Sequence, residues 1–140
     1  MKIEILGGTS PRLYKLVAPL VMNAAVLRQN DNYPYKTSQR HEWLLALDDE
    51  DENKISGFFP VERREGYAYI NNYYLSAEAE ESVLPALIEK SIEMYVPMCP
   101  LVAVVHTRDA EAFLEKGFAA EREWKHYVKM KYQAGDGKTS

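Results

Sequence analysis

A run of five apolar residues, Leu101–Val105 (LVAVV), follows a helix-length amphipathic segment, and this pair constrains the fold more than any other feature of the chain. The run has no polar alternation, so it reads as a strand buried on both faces. Upstream, a helix capped by Ser82 or Ser76 and running to about Val96 places Val83, Leu84, Leu87, Ile88, Ile92 and Tyr95 on one face. Pro85 is tolerated there because it falls in the first turn. Before the helix lies Tyr67–Leu75 (YAYINNYYL), which reads as one aromatic-rich strand. A helical crossover between these two strands predicts parallel neighbours in one sheet.

The remaining segments fit around that unit. Lys2–Leu6 alternates polar and apolar residues, as a short strand does, and Gly7-Gly8 ends it. Ser10 before Pro11 predicts a helix start, followed at helical spacing by Leu13, Leu16, Val17, Leu20, Val21, Ala24 and Leu27. Pro19 lies inside that pattern and predicts a kink or a split. Gln29–Lys36 reads as a loop with Tyr33 and Tyr35 exposed or folded back. Glu42–Leu47 and Lys54–Arg64 predict an antiparallel hairpin with a solvated acidic tip, Asp48–Asn53. Gly57 and Pro60 predict a bulge or an edge in its second strand. A short helix is expected over Ala110–Lys116, with Phe113 and Leu114 inward and Gly117 closing it. Glu121–Tyr132 reads as one strand, with Trp124, His126, Val128, Met130 and Tyr132 on one face and Glu123, Lys125, Tyr127, Lys129 and Lys131 on the other. Residues 1–132 are expected to form one domain and 133–140 a disordered tail.

Charge and cysteine content remove several functions. A formal net charge of −4 argues against a dedicated nucleic-acid binder, which needs a basic face for phosphates. The single cysteine, Cys99, cannot form an internal disulfide or a paired-cysteine zinc site. The three histidines, His41, His106 and His126, lack close ligand spacing, so no metal is expected. No apolar stretch is long enough to span a bilayer and Met1–Leu6 does not resemble an export signal. The expectation is a cytoplasmic protein without membrane contact.

With its elements in this order, the chain resembles the GCN5-related N-acetyltransferases over Met1 to Tyr132. The local carriers are AEAFLEKGF (Ala110–Phe118), similar to the family's late helix and its Gly-Phe step, and the WLLAL hairpin followed by YAYINNYYL, similar to its three central antiparallel strands. The resemblance implies an α/β (α+β) acyl-CoA N-acyltransferase fold, with a mixed, mostly antiparallel sheet flanked by helices. It implies acyl transfer from acetyl-CoA to a small-molecule or peptide amine; a homodimer is one assembly that the residues leave open. Backbone around Tyr73, Tyr74 and Leu75 would hold the pantetheine arm. The Ser82 and Val83 amides would face the diphosphate, because helix N-termini offer free N–H groups. His106 or Glu62 would deprotonate the amine, and Tyr73 or Tyr74 would protonate the departing sulfur.

The chain departs from the family in two places. The diphosphate pattern Q/R-x-x-G-x-G/A falls on Ala79 to Leu84, with Ser82 and Leu84 in the glycine or small-residue places, and no glycine occurs between Gly66 and Gly117. Glu78, Glu80 and Glu81 put negative charge where an anion should sit. The tyrosine that serves many members as thiolate donor is replaced by Leu114, which reads as core. These departures support a second reading, a non-catalytic binding or assembly module that keeps the fold and has lost the coenzyme; a small-molecule sensor is a third.

The candidate residues carry structural readings as well. His106 can cap a strand end. His126, on an apolar face, reads as a satisfied, partly buried histidine. Glu62 can be a solvated strand residue beside Arg63 and Arg64. Asn71 and Asn72 are unusual in an aromatic strand and mark either a ligand contact or a bulge. Tyr67, Tyr69 and Tyr73 alternate onto one face, as a cleft lining or as cross-strand packing.

Overall fold

The computed structural model describes residues 1–133. Eight strands form one sheet: β1 (Lys2–Gly7), β2 (His41–Leu47), β3 (Ile55–Arg64), β4 (Tyr67–Ile70), β5 (Tyr74–Leu75), β6 (Leu101–His106), β7 (Phe118–Glu123) and β8 (Tyr127–Tyr132). Their order is β1-β2-β3-β4-β6-β8-β7, with β5 on β3. Helices α1 (Pro11–Val21) and α2 (Ala24–Gln29) cover part of one face. Helices α3 (Val83–Tyr95) and α4 (Ala110–Glu115) cover the other. The crossover through α3 makes β4 and β6 parallel, as the strand–helix–strand order predicts, with Tyr69 opposite Val102. All other pairings are antiparallel.

Strand alternation sorts the apolar side chains into two cores. Leu44, Phe59, Val61, Ile70 and Val105 face α3 and α4, where Phe59 stacks on Phe113 at 6.1 Å. Trp43, Leu45, Leu47 and Phe58 face α1 and α2, with Tyr35 folded back onto Phe58. Fully burying each of these large side chains is worth about 1.5–3 kcal/mol, so the two layers hold the sheet from both sides.

Several sequence expectations are corrected. Tyr67–Leu75 is interrupted: β4 ends at Ile70, Asn72 adopts a left-handed φ of 58°, and pairing to β3 resumes at Tyr74. Between Ile70 opposite Val61 and Tyr74 opposite Phe58, three residues face two, which is a one-residue bulge. Tyr73 therefore turns to the α3–α4 side, while Tyr67 and Tyr69 remain on the opposite face. Glu121–Tyr132 is a hairpin rather than one strand, and His126 is exposed in its turn. The Trp124 N–H bonds to the Tyr127 carbonyl to close that turn.

Helix details differ as well. Pro19 does not break α1, because only one donor is lost and the helix ends soon after, at Met22. The split falls where Asn23 caps α2 through its side chain. The Ser82 hydroxyl makes no capping bond. Leu114 is 50% exposed: α4 is short, and with Phe113 directed to the core the next residue points to solvent. β3 is an interior strand, and its irregularity lies beside Gly57. The Gln133 N–H bonds to Gly117, while the remainder of the expected tail lies outside the described residues. Among the described residues no helix is long and apolar enough to cross a membrane.

Candidate functional site

The bulge at Asn72 separates two strands that were parallel neighbours one turn earlier. β4 pairs with β6 as far as Ile70 opposite Ala103, whereas β5 pairs with β3 alone. A splay opens between β5 and the end of β6. Tyr73, 3% exposed, crosses it. Its hydroxyl accepts the His106 N–H at 3.0 Å and donates to the Asp109 carboxylate. Burial, then the nearby Asp109, raises the Tyr73 phenol well above its ordinary range, so it stays protonated.

His106 ends β6 and is 8% exposed, its ring between Tyr73 at 5.3 Å and Tyr127 at 5.0 Å. Burial and then Arg108 lower its pKa, against the opposing carboxylates of Asp109 and Asp31. A small cavity beside it holds Arg28, Arg108 and the exposed His126. The structure thus brings Tyr73 and His106 together. Tyr74 points the other way, into the α1–α2 core, 5.3 Å from Phe58. Glu62 is in neither group; its carboxylate accepts the Arg64 Nε–H at 2.8 Å.

The second feature is a cleft of about 530 Å³ on the part of the sheet that α1 and α2 leave uncovered. Glu62, Arg64, Tyr69 and Asn71 form its floor from β3 and β4. Tyr127 and Trp124 close one side, and Tyr33 and Lys36 from the α2–β2 loop close another. That loop is strapped across the splay. Asn30 Nδ2 donates to Asn72 Oδ1 at 3.0 Å, and the Tyr127 hydroxyl donates to Asp31. Asp31 and Asn32 both adopt left-handed φ, which Asn and Asp tolerate better than most residues. Asn71 and Asn72 are therefore used in the bulge itself: the Asn71 side chain accepts the Asn72 N–H at 2.9 Å.

Sequence reasoning missed Tyr33, Lys36, Arg64, Trp124, Asp31 and Asp109 as members of this region, while Tyr127 stood beside Tyr73 and Tyr74 as a substitute for the tyrosine that Leu114 replaces. The aromatic residues of the 29–36 loop carried the one usable signal, since tyrosines in a polar loop need a surface to lie on. The others meet only through strand pairing far apart in sequence.

No family model matches the chain, and no curated protein matches it. Solved structures do. Escherichia coli ElaA is 16% identical with a TM-score of 0.73, over 95% of this chain and 100% of that one. Tetrahymena GCN5 is 16% identical with a TM-score of 0.71, over 94% and 95%. The PaiA N-acetyltransferase of Thermoplasma acidophilum, solved in complex with coenzyme A, is 14% identical with a TM-score of 0.60, over 95% and 99%. The chain has the fold of the GCN5-related N-acetyltransferases. Several of its structural neighbours, PaiA among them, are N-acetyl- or N-acyltransferases, and at these identities the likeness establishes the fold.

The loop before α3 does not fit a coenzyme diphosphate. Of the two amides expected to face it, the Val83 N–H is already bonded to the Glu80 carbonyl while the Ser82 N–H makes no backbone bond among the described residues, and Pro85 has no N–H to offer. A groove of about 420 Å³ opens beside it, lined by Glu78 and Glu80 of the loop and by Asp48, Asp49 and Glu50 of the β2–β3 tip. Lys54 and the Met1 ammonium face these carboxylates, and Met1 is itself paired with Asp49. Such a surface repels a diphosphate.

Proposed function

We propose that this chain uses the acyltransferase fold as a ligand-binding module, taking its ligand in the aromatic cleft and dispensing with coenzyme A. The observation that carries this reading is the Tyr73 phenol, held by His106 and Asp109 across the splay where a pantetheine arm would run. The carboxylate-lined groove before α3 supports it. So do the side chains considered for catalysis: the Glu62 carboxylate is engaged by Arg64, and Tyr74 packs in a core.

Acyl transfer to an amine is the second reading. One observation favours it: β5 pairs with β3 alone, which leaves the other edge of Tyr74–Leu75 open to an extended ligand.

Thermal denaturation with coenzyme A and with acetyl-CoA separates the two. A ligand that binds only the native state stabilises it: at about 100 times its Kd the gain is about 2.7 kcal/mol. The module reading expects no shift in Tm with either compound at millimolar concentration. A saturable rise with acetyl-CoA would reinstate the enzyme.

A further inference from the structure

The cleft's own charges select among ligands. The Arg64 guanidinium carbon lies 4.1 Å from the centroid of the Tyr69 ring, and its Nε–H bonds to Glu62. A cationic ligand would seek those same two groups, an aromatic face and a carboxylate. Tyr69 and Glu62 are already taken by Arg64, so the aromatic walls that remain offer a cation no free carboxylate beside them. Glu62 is the one carboxylate lining the cleft among the described residues.

Positive charge, by contrast, is left over. Lys36 lines the cleft, is exposed, and makes no ion pair among the described residues. Arg122 does not line the cleft but lies 5.1 Å from the centroid of the Trp124 ring that does. His41, bonded through Nδ1 to the Ser38 hydroxyl, is held toward its neutral form by burial and contributes polarity without charge. Beside Asn71, Asn72 and Val104, the remaining walls are flat rings: Tyr33, Pro34, Pro60, Trp124 and Tyr127. A volume of about 530 Å³ lies within the range of small-molecule sites.

We propose that the cleft binds a flat aromatic molecule bearing one carboxylate, its ring against the Trp124 and Tyr127 walls and its charge toward Lys36. This rests on the ligand-binding reading above and sharpens it, because an aryl carboxylate is not an amine acceptor. Ring stacking supplies contact area, and the unpaired lysine supplies the discrimination by charge.

Three probes test it by calorimetry: naphthoate, naphthylmethylamine and cyclohexanecarboxylate. Naphthoate is expected to bind, the ammonium compound not to bind, and the saturated acid to bind at least tenfold more weakly. Lys36→Ala should weaken naphthoate about two- to fivefold, the scale of one solvent-exposed charge pair, without altering Tm. The two indole N–H signals in a nitrogen–proton correlation spectrum locate the site. Trp43 is 2% exposed and donates to Thr37, so its signal should stay; Trp124 is 43% exposed and its signal should move. Trp124→Phe assigns the moving signal. Tighter binding of the ammonium probe, unchanged affinity in Lys36→Ala, or no binding of naphthoate overturns the proposal. If acetyl-CoA also fails to bind, the loss is confined to the ligand class; if acetyl-CoA binds, the module reading falls with it.

Discussion

The hydroxyl of Tyr73 accepts a hydrogen bond from the backbone N–H of His106 at 3.0 Å, joining two strands where their backbone pairing has ended. A side chain thus does at the splay what a ladder bond does elsewhere in the sheet. The same hydroxyl donates to Asp109, which ties the end of β6 and the start of α4 to the bulged strand.

Tyr73→Phe keeps the ring among Phe59 and Phe113 and removes only the oxygen. The buried His106 N–H and the Asp109 carboxylate then lose a partner, which costs about 1–3 kcal/mol. Urea denaturation should show that loss with an unchanged m-value. A change below about 0.5 kcal/mol would mean that water or another group satisfies both.

Asn72 serves the bulge twice, by tolerating a φ of 58° and by accepting the Asn30 amide at 3.0 Å. Asn72→Gly keeps the first property and Asn72→Ala keeps neither. Alanine should therefore cost more, about 1–3 kcal/mol in total, with glycine the milder of the two. Equal losses would remove backbone conformation from the account.

Gly57 lies under β5. A Cβ there would sit 2.8 Å from the Tyr74 carbonyl oxygen and 3.0 Å from Leu75 Cδ2. A backbone oxygen cannot swing aside, so Gly57→Ala should displace β5 and cost about 1–3 kcal/mol. Gly7→Ala meets nothing within 4 Å and is the control, expected within about 0.5 kcal/mol of the parent. Thermal melts of the two variants side by side decide the point.

Acidity should destabilise the fold through His106 and His41. Burial, then Arg108, lowers the His106 pKa from its ordinary 6.5, and burial lowers that of His41. The unfolded chain then takes up protons first as pH falls. Stability is complete above about pH 6.5 and is lost as pH drops through the folded values. Tm should fall between about pH 7 and pH 5, and His106→Gln should flatten part of that slope. An unaltered slope would show that His106 is protonated as readily folded as unfolded.

Much of the architecture was legible in the residues. The Ser10–Pro11 start of α1, the hairpin with its acidic tip and the α3 crossover are all written in local periodicity and capping chemistry. The candidate site was legible only in parts. Tyr73 and His106 were singled out and do meet, yet Asp109, which accepts the hydrogen bond of the phenolic O–H, was not. Tyr33 and Tyr35 stood as exposed or folded back, and the structure divides them: Tyr33 faces the cleft and Tyr35 packs on Phe58.

What the sequence determined by itself was the order of the main strands and helices, though not the break at Asn72 or the turn at His126, because the spacing of apolar residues fixes a buried face within each segment. Tertiary structure alone decided which way Tyr73 points. One extra residue at Asn72 reverses every face after it, and the pairing of Tyr74 with Phe58 sets where that residue goes. It also decided the cleft, whose tyrosines, lysine and tryptophan come from four separate segments. Register and strand order are collective properties of the whole sheet, and a local pattern does not encode them.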